Sequence, residues 1–262
     1  MAVVERSRTA CGFELVLVAD GAAAAEQAAG LLLAGLRRRA PLRALGLATG
    51  RTMEPVYAAL VAQLGALSAA ERQRLLAGWQ SFNLDEYVGL GPGDSGSFTA
   101  FMARHLVAPL GLDPGRVRLP DGLAADPAAE ACRYAAALAA AGGIGLQLLG
   151  LGLNGHVGFN EPPCGAAAAT RVVELCPTTR RQNAAAFGAD PAAVPARAIT
   201  LGLAEILAAE RILLVVTGAA KAPVLARLLH EPPSAELPAS WLQGHPAVTL
   251  VADRAALGVG AP

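Results

Sequence analysis

Six short apolar runs punctuate this chain: FELVLVAD (13–20), ALGLA (44–48), GWQSFNL (78–84), GLQLLG (145–150), RILLVVT (211–217) and AVTLVA (247–252). Each stops at, or one residue before, a glycine, a threonine or an acid. Such runs are too short for buried helices and, bounded by turn residues, read as strands covered on both faces. Between them, apolar residues recur at helical spacing over 22–39, 53–64, 97–110, 126–141 and 199–209, and a further helix is expected around Lys221. Ser68, with Glu71 three positions on, is expected to form a capping box for one more short helix. The stretch 164–198 is rich in loop residues. Strands alternating with helices give an α/β fold. The expected architecture is a single-domain, three-layer α/β/α arrangement over residues 1–262, with a mostly parallel, Rossmann-like sheet. No linker-like, low-complexity or repetitive segment divides the chain.

Sites in such folds lie beyond the carboxyl ends of the strands. That rule selects four loops: 48–52, 85–87, 151–161 and 217–221. The third carries the densest chemistry, LLGLGLNGHVGFNEP from Leu148 to Pro162. Here Asn154, His156, Asn160 and Glu161 follow two glycines, and the ordinary imidazole pKa suits His156 to general acid–base work. Glu161 is placed to orient the ring by accepting its second N–H. In the first loop, Thr49-Gly50-Arg51-Thr52 opens a helix, which fits either an anion site at a helix N-terminus or an ordinary strand-to-helix turn. Asp85 and Glu86 are adjacent in a strand, so one faces the site and the other is a capping or pairing acid. Lys221 alone reads as a solvated lysine; beside the other loops it becomes a candidate. His105, His230 and His245 sit in patterns that favour structural roles.

Composition removes several classes. The 21 basic and 21 acidic residues balance, which gives no electrostatic case for nucleic acid or an acidic membrane as partner. The most apolar early window, 21–36, is interrupted by Glu26 and Gln27, so no membrane span is expected. The N-terminal segment lacks signal-peptide architecture, and a cytoplasmic location is expected. Cys11, Cys132, Cys164 and Cys176 have neither metal-ligand nor disulfide-framework spacing, and Cys164 is expected to be a small buried hydrophobe.

With these residues in place, the chain resembles the glucosamine-6-phosphate deaminase (isomerase) family, within the superfamily that includes the 6-phosphogluconolactonases. The resemblance runs through LGLATGRT, FNLDEYVGL, LGLGLNGHVGFNEP, TRVVEL, AITLGLAEILAAERILLVVTGAAKA and LPASWLQGHP. It implies conversion of an amino-sugar phosphate, glucosamine 6-phosphate, to fructose 6-phosphate and ammonia, with no metal and no organic cofactor. It further implies that Asp85 moves a proton between carbons 2 and 1 and that His156 opens the ring. Glu161 is implied as the partner that orients His156. The resemblance puts the phosphate on the Thr49–Thr52 turn and Lys221, and is compatible with a monomer or a homo-oligomer.

Three departures from the family pattern bear on the site. Asn154 stands where some members have an acid; it can orient His156 by hydrogen bonding but brings no charge. Ala185 occupies a position where many members place a phosphate-contacting arginine, and Arg51 is the expected replacement. Arg171 remains of a basic effector pair whose second position is Val173, so activation by N-acetylglucosamine 6-phosphate is not expected. The neighbouring readings are a galactosamine-6-phosphate deaminase, a 6-phosphogluconolactonase and a non-catalytic sugar-phosphate-binding protein. The FNEP continuation after His156 and the retention of Asp85 weigh against the last two.

Overall fold

Burial organises the sheet: every residue of the strands Ala44–Leu47 and Ile212–Val216 is buried, which requires packing layers on both faces. The structure is a computed structural model that describes residues 4–38 and 43–259. In chain order the first elements are β1 (Glu5–Arg8), β2 (Glu14–Val18), α1 (Gly21–Arg37), β3 (Ala44–Leu47), α2 (Met53–Gly65), α3 (Ala69–Ala77), β4 (Ser81–Asn83) and β5 (Asp85–Tyr87). Then come α4 (Phe98–Met102), α5 (Ala108–Leu110), β6 (Val117–Arg118), α6 (Pro127–Ala140), β7 (Ile144–Gly150), β8 (Arg171–Glu174) and α7 (Pro177–Asn183). The last are β9 (Arg197–Thr200), α8 (Leu203–Leu207), β10 (Ile212–Val216), α9 (Ala222–His230) and β11 (Val248–Asp253).

Eight strands form the main sheet in the order β1-β2-β11-β10-β7-β3-β4-β6, parallel throughout except for the β1–β2 pair. From β3 the chain moves outward to β4, whereas from β7 it moves the other way to β10. The crevice between β3 and β7 is therefore the switch point where such sheets bind ligands. A second, antiparallel sheet, β5-β9-β8, stands at the carboxyl edge of the first. Leu84 joins them: its N–H donates to Leu47 O at 3.0 Å, and its carbonyl accepts from Leu201 N at 2.7 Å. Beneath the small sheet, Tyr87 packs against Phe98, Phe159 and Phe187 with ring centroids 4.7 to 5.5 Å apart.

Several expectations are corrected. The helix expected over 199–209 begins as a strand, β9, because Ala198 and Ile199 fill the interior between β5 and β8. It turns helical only after Gly202, where a Cβ would lie 2.0 Å from Ala168 O. The stretch 164–198 contains β8 and α7. Over 97–110 the helix widens into a π-turn at Ala103–Val107, just before Pro109, which has no N–H for the ladder. β1 was not expected: ERSR is exposed throughout, and only its pairing with β2 makes it a strand. The capping box is half formed, since Ser68 Oγ accepts from Glu71 N at 3.3 Å while the Glu71 carboxylate turns to Arg37 Nε at 2.9 Å. Arg39, the last residue of the first expected helix, lies outside the described residues, as do positions 1–3 and 260–262 of the expected domain. Among the described residues, no helix is long and apolar enough to cross a membrane.

Candidate active site

A cleft of about 1110 Å³ opens at the switch point, and Thr49, Gly50, Arg51, Thr52, Asp85, His156 and Lys221 all line it. The first wall is the turn after β3. Gly50 has φ +100°, which a side chain would resist, and its carbonyl accepts from Met53 N at 2.8 Å to start α2. Tyr57, one turn into α2, donates its hydroxyl to Ala48 O at 2.5 Å and holds the turn from beneath. The Thr52 side chain makes no capping bond, so its hydroxyl is free for a ligand at the positive end of the helix.

Lys221 enters from the end of β10. Gly218 takes φ +89°, and its N–H is gripped by both oxygens of Asp253 at 3.0 Å. The short turn that follows aims Lys221 Nζ at Leu151 O, 2.5 Å away. Burial, and then the like charge of Arg51, push the Lys221 pKa down to about 8. Two cations at one end of a cleft, with Arg51 close enough to lower the Lys221 pKa, form a site for a multiply charged anion.

Asp85 and Glu86 divide as their strand geometry demands. Glu86 points away from the cleft and accepts from Tyr87 N and Phe98 N, both at 2.9 Å, from Thr99 N at 2.7 Å and from Thr99 Oγ1 at 2.8 Å. It thereby caps the N-terminus of α4. Asp85 is 5% exposed and, among the described residues, accepts no such bond. Burial, and then repulsion from Glu86, raise its pKa well above the ordinary carboxylate range. A carboxylate that is buried, unpartnered and open to a cleft is a poised base.

His156 sits at the end of β7 in a tight turn, closed by Gly155 N–H to Gly152 O at 3.0 Å and Gly152 N–H to His156 O at 2.9 Å. Burial lowers its pKa to about 4, against the pull of the Glu161 carboxylate and with some help from Lys221. The ring is neutral at neutral pH and can accept a proton. Its Nδ1 meets Asn154 Oδ1 at 2.6 Å. Among the described residues, no group of three or more His, Cys, Asp or Glu side chains is arranged to hold a metal ion.

Residues 19–251 match the family model of glucosamine-6-phosphate isomerases/6-phosphogluconolactonase. A glucosamine-6-phosphate deaminase of Rhodopirellula baltica is 43% identical over 243 residues, covering 93% of this chain and 94% of that protein. The chain belongs to this family. A glucosamine-6-phosphate deaminase of Streptomyces coelicolor is 42% identical, with 93% of this chain and 91% of that protein covered. The solved structure of a monomeric glucosamine-6-phosphate deaminase superposes with a TM-score of 0.85 at 34% identity, over 94% of this chain and 99% of that one. A 6-phosphogluconolactonase from Leishmania guyanensis shares the fold, with a TM-score of 0.72 at 21% identity over 95% of this chain and 97% of that one.

Against the family pattern, one expected contact is corrected. Glu161 does not hydrogen-bond to the His156 ring; its oxygens take Cys176 N–H at 2.7 Å, the Cys176 thiol at 3.0 Å and the Thr179 hydroxyl. The start of α7 competes for this carboxylate and wins, because it offers three donors at once. Neither Glu161 nor Asn154 lines the cleft; both stand behind His156. Arg171 is engaged within the chain, donating to Asn160 Oδ1 at 2.9 Å and Ala169 O at 3.1 Å. Arg104, Gln182 and Asn183, which the sequence did not single out, also line the cleft. His105, expected to be structural, packs at a tilt against Phe101 with centroids 4.4 Å apart at the cleft wall. His245 is held by Ala209 O and Ala247 N, as a structural histidine should be.

Proposed function

We propose that this member of the family is a glucosamine-6-phosphate deaminase, converting glucosamine 6-phosphate and water to fructose 6-phosphate and ammonia. The observation that carries the reading is a buried, unpartnered Asp85 carboxylate sharing one cleft with a neutral His156 and a two-cation anion site. The phosphate docks on the Thr49–Thr52 turn against Lys221 and Arg51. Neutral His156 takes the proton of the anomeric hydroxyl and returns it to the ring oxygen, which opens the sugar. Asp85 removes the proton from carbon 2 while the substrate's ammonium gives one proton to the carbonyl oxygen at carbon 1, leaving a neutral enolamine, and Asp85 then delivers its proton to carbon 1. The resulting iminium at carbon 2 is hydrolysed by water to the ketone, with release of ammonia. A proton transfer between adjacent carbons needs one base beside both, and ring opening needs a second group near the ring oxygen. A phosphorylated substrate does not cross a bilayer unaided, so we place the protein in the cytoplasm.

The test is ammonia release from glucosamine 6-phosphate and galactosamine 6-phosphate in parallel, with fructose 6-phosphate and tagatose 6-phosphate assayed as products. Glucosamine 6-phosphate is expected to be the better substrate. No ammonia from either sugar would overturn the deaminase reading.

Arg51 is assigned the charge that Ala185 does not provide on the other wall of the cleft. Arg51→Ala is expected to raise KM about tenfold with kcat nearly unchanged, the signature of lost uniform binding. A second effect has a definite sign. Lys221 loses its charge as pH rises through about 8, so kcat/KM falls on that side. Removing its like-charged neighbour moves that fall to higher pH. A KM that stays at the wild-type value would exclude Arg51 from the phosphate.

A further inference from the structure

Asn154 offers His156 an amide, and an amide, unlike a carboxylate, has two different ends. If the oxygen faces Nδ1, the ring proton sits on Nδ1 and Nε2 keeps its lone pair. Were the amide reversed, its NH2 would force the ring proton onto Nε2 and remove the base. The amide must therefore be held the right way round at both ends, its oxygen by the backbone N–H of His156 and its NH2 by a second partner. We propose that Cys176 is a positioning residue that sets the tautomer of His156 by fixing the orientation of Asn154.

The chain of donors and acceptors has one direction. The atom 2.6 Å from His156 Nδ1 also lies 3.3 Å from the backbone N–H of His156, on the accepting side. A backbone N–H can only donate, so that atom is the amide oxygen. The amide nitrogen then points to Cys176 Sγ, 3.8 Å away. A thiol can face an N–H with its lone pairs only if its own proton goes elsewhere, and it does: Sγ lies 3.0 Å from Glu161 Oε1. Each bond that Glu161 makes here is one it accepts, and its oxygens are also locked by Cys176 N at 2.7 Å and by the Thr179 hydroxyl. The protons thus run His156 to Asn154, Asn154 to Cys176, and Cys176 to Glu161. Glu161 acts on the imidazole through this relay, because no direct bond joins them. The relay starts in the loop after β7 and ends at the cap of α7, so folding of α7 prepares the ring. This assignment rests on reading His156 as the ring-opening base.

The test combines imidazole 15N chemical shifts of histidine-labelled protein with steady-state kinetics. Wild type is expected to show a single neutral tautomer protonated at Nδ1. Cys176→Ala is expected to give a tautomer mixture and to lower kcat about tenfold at unchanged KM, the scale on which orienting groups behind a catalytic ligand act. Cys176→Ser, whose hydroxyl donates and accepts in the same places, should restore both readouts. In an Asn154→Asp background the two oxygens are equivalent, so Cys176→Ala should lose its effect. A wild-type tautomer and kcat in Cys176→Ala would overturn the proposal. So would an equal kcat loss in the Asn154 and Asp backgrounds, which would make Cys176 a packing residue. If wild type released no ammonia from either amino-sugar phosphate, the functional reading would fall while the 15N shifts still decided the relay.

Discussion

Asp85→Asn is expected to lower kcat about a thousandfold, within the range for loss of a positioned general base, while KM changes little. The same substitution should raise the melting temperature. Burial and the neighbouring Glu86 raise the Asp85 pKa in the folded protein, so the unfolded chain ionises more readily. Above the unfolded carboxylate pKa, that difference subtracts from stability, and the penalty grows until the folded group also ionises. Asparagine has no charge to bury and carries no such penalty at neutral pH. Loss of activity with gain of stability is the mark of a group kept for chemistry. The measurement is kcat for ammonia release together with a thermal melt at pH 7. An Asn variant that keeps wild-type kcat would remove Asp85 from the reaction; one that melts lower would contradict the burial argument.

Gly152→Ala is expected to abolish most activity by a different route. A Cβ at Gly152 would lie 2.3 Å from His156 Cε1 and 2.4 Å from both ring nitrogens. Real contacts of that kind do not exist, so the imidazole must swing away and lose Asn154. Displacing a catalytic group by about 1 Å costs on the order of a hundredfold in rate, and kcat should fall at least that far. The backbone itself is not strained, because Gly152, unlike Gly155 at φ +84°, has no positive φ. The fold should therefore survive, with a melting temperature near wild type. Near-normal kcat in a folded Gly152→Ala protein would show that His156 does not need its present position.

The large sheet was legible because its strands are buried on both faces, which leaves unbroken apolar runs with no alternation to misread. Their carboxyl ends locate the loops carrying Thr49–Thr52, His156 and Lys221 from the sequence alone. Strand geometry made the Asp85/Glu86 division legible only as a choice, since a period of two says that the side chains part without saying which one meets the cleft, and the resemblance to the family supplied its sense. The small sheet was hidden. Val172 and Val173 are half-buried, and Ile199 precedes a true helix closely enough to be absorbed into its pattern. Glu161 shows the deeper limit. Its spacing from His156 is right for contact, yet the donors that claim it arrive from Cys176 and Thr179, on a helix that residue spacing within the 151–161 loop could not place. Arg104 and His105 were obscured for a related reason: a π-turn shifts side chains off the face that regular helical spacing assigns them.

Asp85 hangs from the small antiparallel sheet, whereas the Thr49–Thr52 turn, His156 and Lys221 hang from the large parallel one. In the proposed reaction, phosphate grip and ring opening thus share one framework, and the proton transfer at carbon 2 is mounted on the other. Descent with change can therefore act on one without undoing the other. A chain of this build can exchange the reaction performed at carbon 2 by remodelling three short strands, and still inherit an intact socket for the phosphate.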